Sequence, residues 1–439
     1  MKVAYLTAGA AGMYCGSCLR DNTIAKAMRK QGVDVQLLPT YTPIRTDEED
    51  ASHAEVFFGG VNVFLQQKFP LFRYLPKWLD GILDRPGFIR WATKRSSSID
   101  AKQLGGLTLS MLQGSRGFQR KEVIRLCDWF ASHFQPDVIN FTNFLIGGCI
   151  PDLTHRFGSK IVVTLQGDDI FLESLPEKYR LQCIAEMQRL DQDVDAYLVF
   201  SEYYRDFMVD YLKLPVGKFR IVPLGIDPAD FLDIRLHHVV DQLSPFKHDL
   251  PTIGYMARLA HEKGLHILID AYLHLRQELK VDAKLLFAGW LGAHNQAYVD
   301  AEFAKLRQAG FENDFAYLGT VDRQQKTDFM NRIDVLSVPT VYREPKGLFV
   351  LEAMAAAIPV VQPEHGAFGE LISATRGGLL CQPNDPIDLA KQLERILTDH
   401  HLRHQLAQQG RAAVLNAFHS DTAAERTIRV FRELLRMPT

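Results

Sequence analysis

Little in this 439-residue chain points to a membrane-spanning helix, a disulfide scaffold or a nucleic acid. No apolar run approaches the roughly 18–20 residues that a membrane helix needs. Six cysteines over this length make no disulfide framework, and a reduced, cytoplasmic setting fits them best. Charge of one sign is also lacking. Fifty lysines and arginines face 52 aspartates and glutamates, a net charge of −2, so no broad basic field invites DNA or RNA. The sequence carries no internal repeat, no low-complexity tract and no convincing cluster of metal ligands. Its first residues include one lysine followed by small and apolar side chains, without a leucine-rich core. They read as a buried strand rather than a signal peptide.

What is present is a long alternation of short apolar runs with helical patterns. The chain is 47% hydrophobic and 23% charged, as a globular protein is. Strands are expected at Lys2–Ala8, Asp34–Thr40, Ala54–Phe58, Asp137–Thr142, Lys160–Leu165, Ala196–Ser201 and Phe219–Val222. A turn-rich stretch, Val222 to Pro228, follows, and residues 229–250 show no period. The alternation restarts with Thr252–Met256, Ala283–Gly289, Phe315–Gly319, Asp334–Val338, Pro359–Gln362 and Gly378–Cys381. Uniformly apolar strands are those buried on both faces. Two such blocks predict an α/β protein of two doubly wound parallel sheets, with the boundary near Pro223–Phe231. Ligands of such sheets bind beyond the carboxyl ends of the strands, so the residues that matter should follow strands.

The densest such stretch runs from Arg343 through Glu344-Pro345-Lys346-Gly347 to Leu348-Phe349-Val350-Leu351-Glu352-Ala353-Met354. Gly347 would let a ligand approach the backbone. The amides of Leu348, Phe349 and Val350 would stand as free donors at a helix start, a ready anion site. Glu352, about one turn into the helix, could accept hydrogen bonds from two vicinal hydroxyls such as those of a ribose. The competing reading makes Glu352 an ordinary helix acid and Glu344 a loop acid. Arg258 and Lys263 follow the first strand of the second block, and a guanidinium beside an ammonium suits a diphosphate. A solvated turn is the plainer alternative.

Taken together these residues resemble glycosyltransferase family 4 of the GT-B fold. The resemblance is carried by Glu344-x7-Glu352 with Gly347-Leu348 and Leu351-Glu352-Ala353-Met354 inside it, and by Ile358-Pro359-Val360-Val361 after it. Arg258-Leu259-x3-Lys263-Gly264, the linker Pro223-Leu224-Gly225-Ile226-Asp227 ending at Phe231, and Gln135-Pro136-Asp137-Val138-Ile139 match as well. The resemblance implies an acceptor-side Rossmann-like domain over 1–225, with a C-terminal helix at about 420–439 packed back on it. A donor-binding Rossmann-like domain would cover 229–415, facing the first across a cleft. It implies a hexosyltransferase that retains anomeric configuration and uses neither metal nor other cofactor. Glu352 would hold the ribose of a nucleotide-sugar donor, UDP-linked most commonly, and Glu344 the hydroxyls of the donor sugar. Arg258 and Lys263 would neutralise the diphosphate, and Gly16, in a glycine-rich loop with Gly9 and Gly12, would face it. Gln166 and Asp168, after the strand Lys160–Leu165, would stand near the reacting sugar and the acceptor; the alternative is that they only shape the loop. Many relatives carry a histidine where this chain has Gln166, which cannot change charge. Other GT-B proteins, such as an epimerase or a phosphorylase, and a non-catalytic sugar-binding protein are the alternative readings.

Other features read as structural. Asp191-Gln192-Asp193-Val194-Asp195 spells Asp-x-Asp twice but lies at the amino end of its strand, away from a ligand edge. Cys15-Gly16-Ser17-Cys18 lacks a thioredoxin-like context, and His400, His401 and His404 sit on a polar helix. The stretch Val63–Arg95 carries seven lysines and arginines against two aspartates, with Trp78, Leu79, Ile82 and Leu83 on one helical face. Basic plus aromatic is the composition of an interfacial helix. That composition predicts peripheral contact with the inner face of a membrane, and the family resemblance implies that this part of the first domain meets a glycan or lipid acceptor. An excursion packed on its own domain is the alternative.

Overall fold

Short apolar runs become strands because helices cover both of their faces, and twelve such strands carry the fold among the described residues. The computed structural model describes residues 1–9, 16–44, 49–53, 56–57, 67, 101–232 and 250–437. Except for Gln67, the basic and aromatic segment 63–95 lies outside them, as do Gly12, Cys15 and most of the expected strand Ala54–Phe58. The first six strands are β1 (Lys2–Thr7), β2 (Asp34–Pro39), β3 (Val138–Phe141), β4 (Lys160–Thr164), β5 (Ala196–Val199) and β6 (Phe219–Ile221). The second six are β7 (Thr252–Met256), β8 (Lys284–Ala288), β9 (Phe315–Tyr317), β10 (Val335–Leu336), β11 (Val360–Pro363) and β12 (Gly378–Cys381). Each lies within two residues of its expected bounds.

The strands form two six-stranded parallel sheets, in the orders β2-β1-β3-β4-β5-β6 and β12-β11-β10-β7-β8-β9. The chain divides accordingly. One compact unit comprises the residues up to Pro223 together with those from Ala423, and the other runs from Leu224 to Thr422. In the first sheet alternate residues feed two cores. Ala4 and Leu6 of β1 pack with Ile139, Ile161 and Val163, while Val3 and Tyr5 pack with Ile24, Ala424, Ile428 and Phe431. The last three belong to the helix Ser420–Leu434, so the carboxyl-terminal helix closes a face of the first sheet. In the second unit Ile253, Tyr255, Leu285, Phe287 and Val335 pack under the helices Leu265–Gln277 and Pro386–Thr398.

Each sheet has one place where the strand order reverses. In the first it lies between β1 and β3, and in the second between β7 and β10. Loops leaving such neighbours depart to opposite faces and open a crevice at the carboxyl edge. The loops after β7 and β10 carry Arg258, Lys263, Glu344 and Gly347.

Candidate active site

The loop after β7 is shaped by a buried phenol. The Tyr255 hydroxyl donates to the Arg258 carbonyl at 3.0 Å and lies 3.4 Å from that of Lys263, closing the turn between them. The turn also packs on the loop after β10. Val341 N–H donates to the Glu262 carbonyl at 3.0 Å, and Gly264 has φ 71°, where a Cβ would stand 1.7 Å from the Pro339 carbonyl oxygen. Only glycine permits so close an approach of two backbones in that conformation. The two loops at the order reversal are thereby held against each other.

That contact brings Lys263 to Glu344. Their charged atoms are 3.1 Å apart, and the side chains are only 14% and 7% exposed. The Tyr342 hydroxyl joins them, 2.5 Å from Glu344 Oε2 and hydrogen-bonded to Lys263. The Lys263 ammonium also lies 4.8 Å from the Tyr342 ring centre and 5.8 Å from that of Phe349, within cation–π range. Burial would raise the Glu344 carboxyl, but Lys263, the Tyr342 hydroxyl and Lys346 outweigh it and hold its pKa at about 2. Burial, and then the Glu344 charge, push the Tyr342 phenol well above its ordinary value. The loop after β11 buttresses the acid from behind, where Ala367 N–H donates to the Glu344 carbonyl at 2.8 Å.

Arg258 sits on the same turn but turns to Glu262, at 3.0 Å, with both side chains about half exposed. Its charge is nonetheless felt at the Tyr342 phenol, which it lowers.

Gly347 caps the helix Leu348–Ala355 with φ 78°, a left-handed conformation that glycine adopts at little cost. One expectation is corrected there. The Val350 amide is not a free donor, because it closes a tight first turn on the Gly347 carbonyl at 3.0 Å. Leu348 and Phe349, at the first two positions, are the amides that a helix start leaves without an intrahelical acceptor. Glu352, on the same helix, is nearly buried and meets Lys326 Nζ at 2.9 Å.

In the first unit Gly16 opens the helix Gly16–Lys30 and is exposed. Gln166 lies at the carboxyl end of β4, 5% exposed. Its Nε2 donates to the Thr142 carbonyl at 2.6 Å and lies 3.4 Å from Asp21 Oδ1, while its Oε1 is buried without a partner. Asp168 shapes the loops around it. It is fully buried, and its two oxygens accept the amides of Phe144 at 2.7 Å and Gln166 at 3.1 Å, clamping the loops after β3 and β4. Burial pushes its carboxyl up to about 6. The Asp-x-Asp acids are engaged in the frame. Asp191 accepts from the Tyr197 hydroxyl at 2.8 Å, and Asp195 pairs with Lys160 at 2.8 Å. Among the described residues no group of three or more His, Cys, Asp or Glu is placed to hold a metal ion, and no helix is long and apolar enough to cross a membrane.

Residues 241–413, which span the whole Lys263–Glu344–Glu352 constellation, match the family described as glycosyl transferases group 1. That segment of the chain is similar to this family of glycosyltransferases. A relative from Methanocaldococcus jannaschii, described as an uncharacterized glycosyltransferase, is 27% identical over 246 residues, 55% of this chain and 60% of that protein. The glycogen synthase of Mycobacterium tuberculosis is 24% identical over 305 residues, 68% of this chain and 69% of that protein. The alignment with the archaeal relative thus spans less than two thirds of that protein's own length. Among solved structures, Anabaena HepE in complex with UDP-glucose superposes over 99% of this chain and 100% of its own with a TM-score of 0.65 at 17% identity, a likeness of fold.

Three neighbours of these residues escape local sequence patterns. Tyr342 reads as a loop aromatic, Lys326 as a solvated helix lysine, and Asp21 as a polar position early in a helix. Asp21 is fully buried, accepting from the Thr7 hydroxyl at 3.1 Å and from Arg20 at 3.3 Å. Burial raises its carboxyl although Arg20 opposes this. The only signal any of them offered was a position next to, or shortly after, an expected strand.

Proposed function

We propose that the chain transfers a hexose from a UDP-sugar to an acceptor hydroxyl, with retention of configuration and without a metal. The observation that carries the reading is the buried Lys263–Tyr342–Glu344 group at the order reversal of the second sheet, beside the glycine-capped helix start at Leu348. An ammonium and two amides suit a diphosphate, and Lys263 with Arg258 would stabilise the charge that grows on it as the glycosidic bond breaks. Glu344, held ionised, would accept hydrogen bonds from hydroxyls of the donor sugar, and Glu352 from those of the ribose. In the transfer the bond from the anomeric carbon to the diphosphate oxygen breaks. The acceptor oxygen bonds to the same face of that carbon, and its proton passes to the departing diphosphate. UDP and glucose are favoured by the ligand of the Anabaena structure and by the glycogen synthase among the relatives.

On this reading the first unit serves the acceptor, a glycan or lipid hydroxyl, with Gly16 and Gln166 at its ligand edge. The basic and aromatic segment 63–95 would contribute to the acceptor surface and to a peripheral hold on a membrane's inner face, in the cytoplasm. Thermal shift across nucleotide sugars, followed by hydrolysis and transfer of the radiolabelled one that binds, tests the proposal. A ligand at 100 times its dissociation constant stabilises by about 2.7 kcal/mol. Lys263→Ala and Arg258→Ala should each lower kcat on the order of 100-fold. Binding without turnover by the wild type would favour a sugar-binding protein, and full turnover by both variants would remove the assigned mechanism.

A further inference from the structure

We propose that Lys326 reads the ribose together with Glu352, so that the pocket selects nucleoside diphosphates that keep their 2′-hydroxyl. The inference rests on the assignment of Glu352 to the ribose.

Lys326 is placed deliberately. Its helix, Arg323–Met330, lies in the crossover that carries the chain from β9 back past β7 to β10. The helix start is set by a capping box, in which Asp322 accepts the Gln325 amide at 2.9 Å and Gln325 Oε1 accepts the Asp322 amide at 3.0 Å. Lys326 N–H then closes on the Asp322 carbonyl at 2.8 Å, one turn into the helix. From there its ammonium reaches Glu352 Oε1 at 2.9 Å, across from a helix 26 residues further on. The two side chains are 14% and 10% exposed.

Stability does not account for such a pair. Withdrawing both charges from water costs about as much as their attraction returns, and two apolar side chains would join the helices as well. A ligand with paired donors and acceptors does account for it. Each ribose hydroxyl is both a donor and an acceptor, so a lone carboxylate satisfies half of it. An ammonium next to the carboxylate supplies the other half. Among the described residues Glu352 Oε2 takes no hydrogen bond, which leaves it to accept the 2′-hydroxyl proton while Lys326 donates to the same oxygen. A 2′-deoxyribose leaves Glu352 Oε2 without the hydroxyl proton and withdraws the oxygen that Lys326 would donate to, and rejection of an analogue that strands a buried polar group is the strong form of discrimination.

The test is calorimetric titration of the full chain with UDP and with 2′-deoxy-UDP. The wild type should prefer UDP by about tenfold or more, the size of one hydrogen bond to a charged group. Lys326→Met should weaken UDP about tenfold and leave 2′-deoxy-UDP nearly unchanged, so that the preference collapses, and Lys326→Arg should restore it. Equal weakening of both nucleotides by Lys326→Met would overturn the inference, because a residue that only holds the fold cannot see one hydroxyl. Glu352→Gln separates the two levels. Unchanged UDP affinity in that variant would overturn the ribose assignment itself. Weakened affinity in Glu352→Gln, with no further loss when Lys326→Met is added, would overturn the role of Lys326 alone. The doubly substituted chain leaves neither charge of this pair buried alone, so this comparison holds even if Lys326→Met alone fails to fold.

Discussion

Lys263 Nζ stands 3.1 Å from Glu344 Oε2, although 81 residues separate them, and the pair is almost withdrawn from water. Burial alone would make Glu344 a weak acid, and the partners reverse that, to about 2. A carboxyl depressed on folding contributes stability that is present above its unfolded pKa, about 4.3, and is lost as pH falls through the folded one. UDP-sugar binding by the wild type should therefore show no acid limb from Glu344 between pH 7 and 4. In Lys263→Met the desolvation is no longer opposed by that charge, and the limb should move above pH 4.5. Binding profiles of the two proteins check this. Superimposable limbs would mean that Lys263 does not set the charge on Glu344.

Gly264 joins the two loops of the site through its backbone. Gly264→Ala adds a left-handed alanine, which costs about 1–2 kcal/mol, and drives a Cβ against the Pro339 carbonyl. Unfolding of the second unit in urea should register a loss well above 2 kcal/mol, about the upper limit of the backbone cost alone, with UDP binding lost in parallel. Gly310→Ala is the control, since its φ is 84° but nothing lies within 4 Å of the added carbon. It should show the backbone cost only. Equal losses in the two variants would remove the loop contact from the account.

Asp168 should matter to stability and not directly to chemistry. Asp168→Ala orphans the buried amides of Phe144 and Gln166, each about 1–3 kcal/mol. Its carboxyl, raised to about 6 by burial, holds its proton longer in the native state. Its contribution to stability is therefore complete below about pH 4 and is lost as pH rises through 6. Asp168→Asn should flatten that part of the pH–stability profile. A variant that keeps wild-type stability yet loses turnover would return Asp168 to the reaction centre.

Asp193→Asn and treatment with EDTA should both spare transfer. The neighbouring acids already serve Tyr197 and Lys160, at the amino end of β5. Activity lost to EDTA and restored by manganese would show that a metal belongs in the reaction.

The sequence by itself determined the two sheets and the elements in them. A strand covered on both faces must be apolar throughout, and runs such as Lys2–Thr7 and Thr252–Met256 declare that locally. It also determined that a glycine would cap the helix at Leu348, because few other residues adopt a left-handed cap at little cost. Only the tertiary structure decided which charges meet. Lys263 reaches Glu344, Lys326 reaches Glu352 and Gln166 reaches Asp21 across strands whose order in the sheet is set by crossovers, and local periodicity says nothing of crossovers. For the same reason local pattern left open whether Asp168, polar and next to a strand, stands near a reacting sugar or only shapes its loop. Its burial and its two backbone amides depend on a loop 24 residues earlier in the chain.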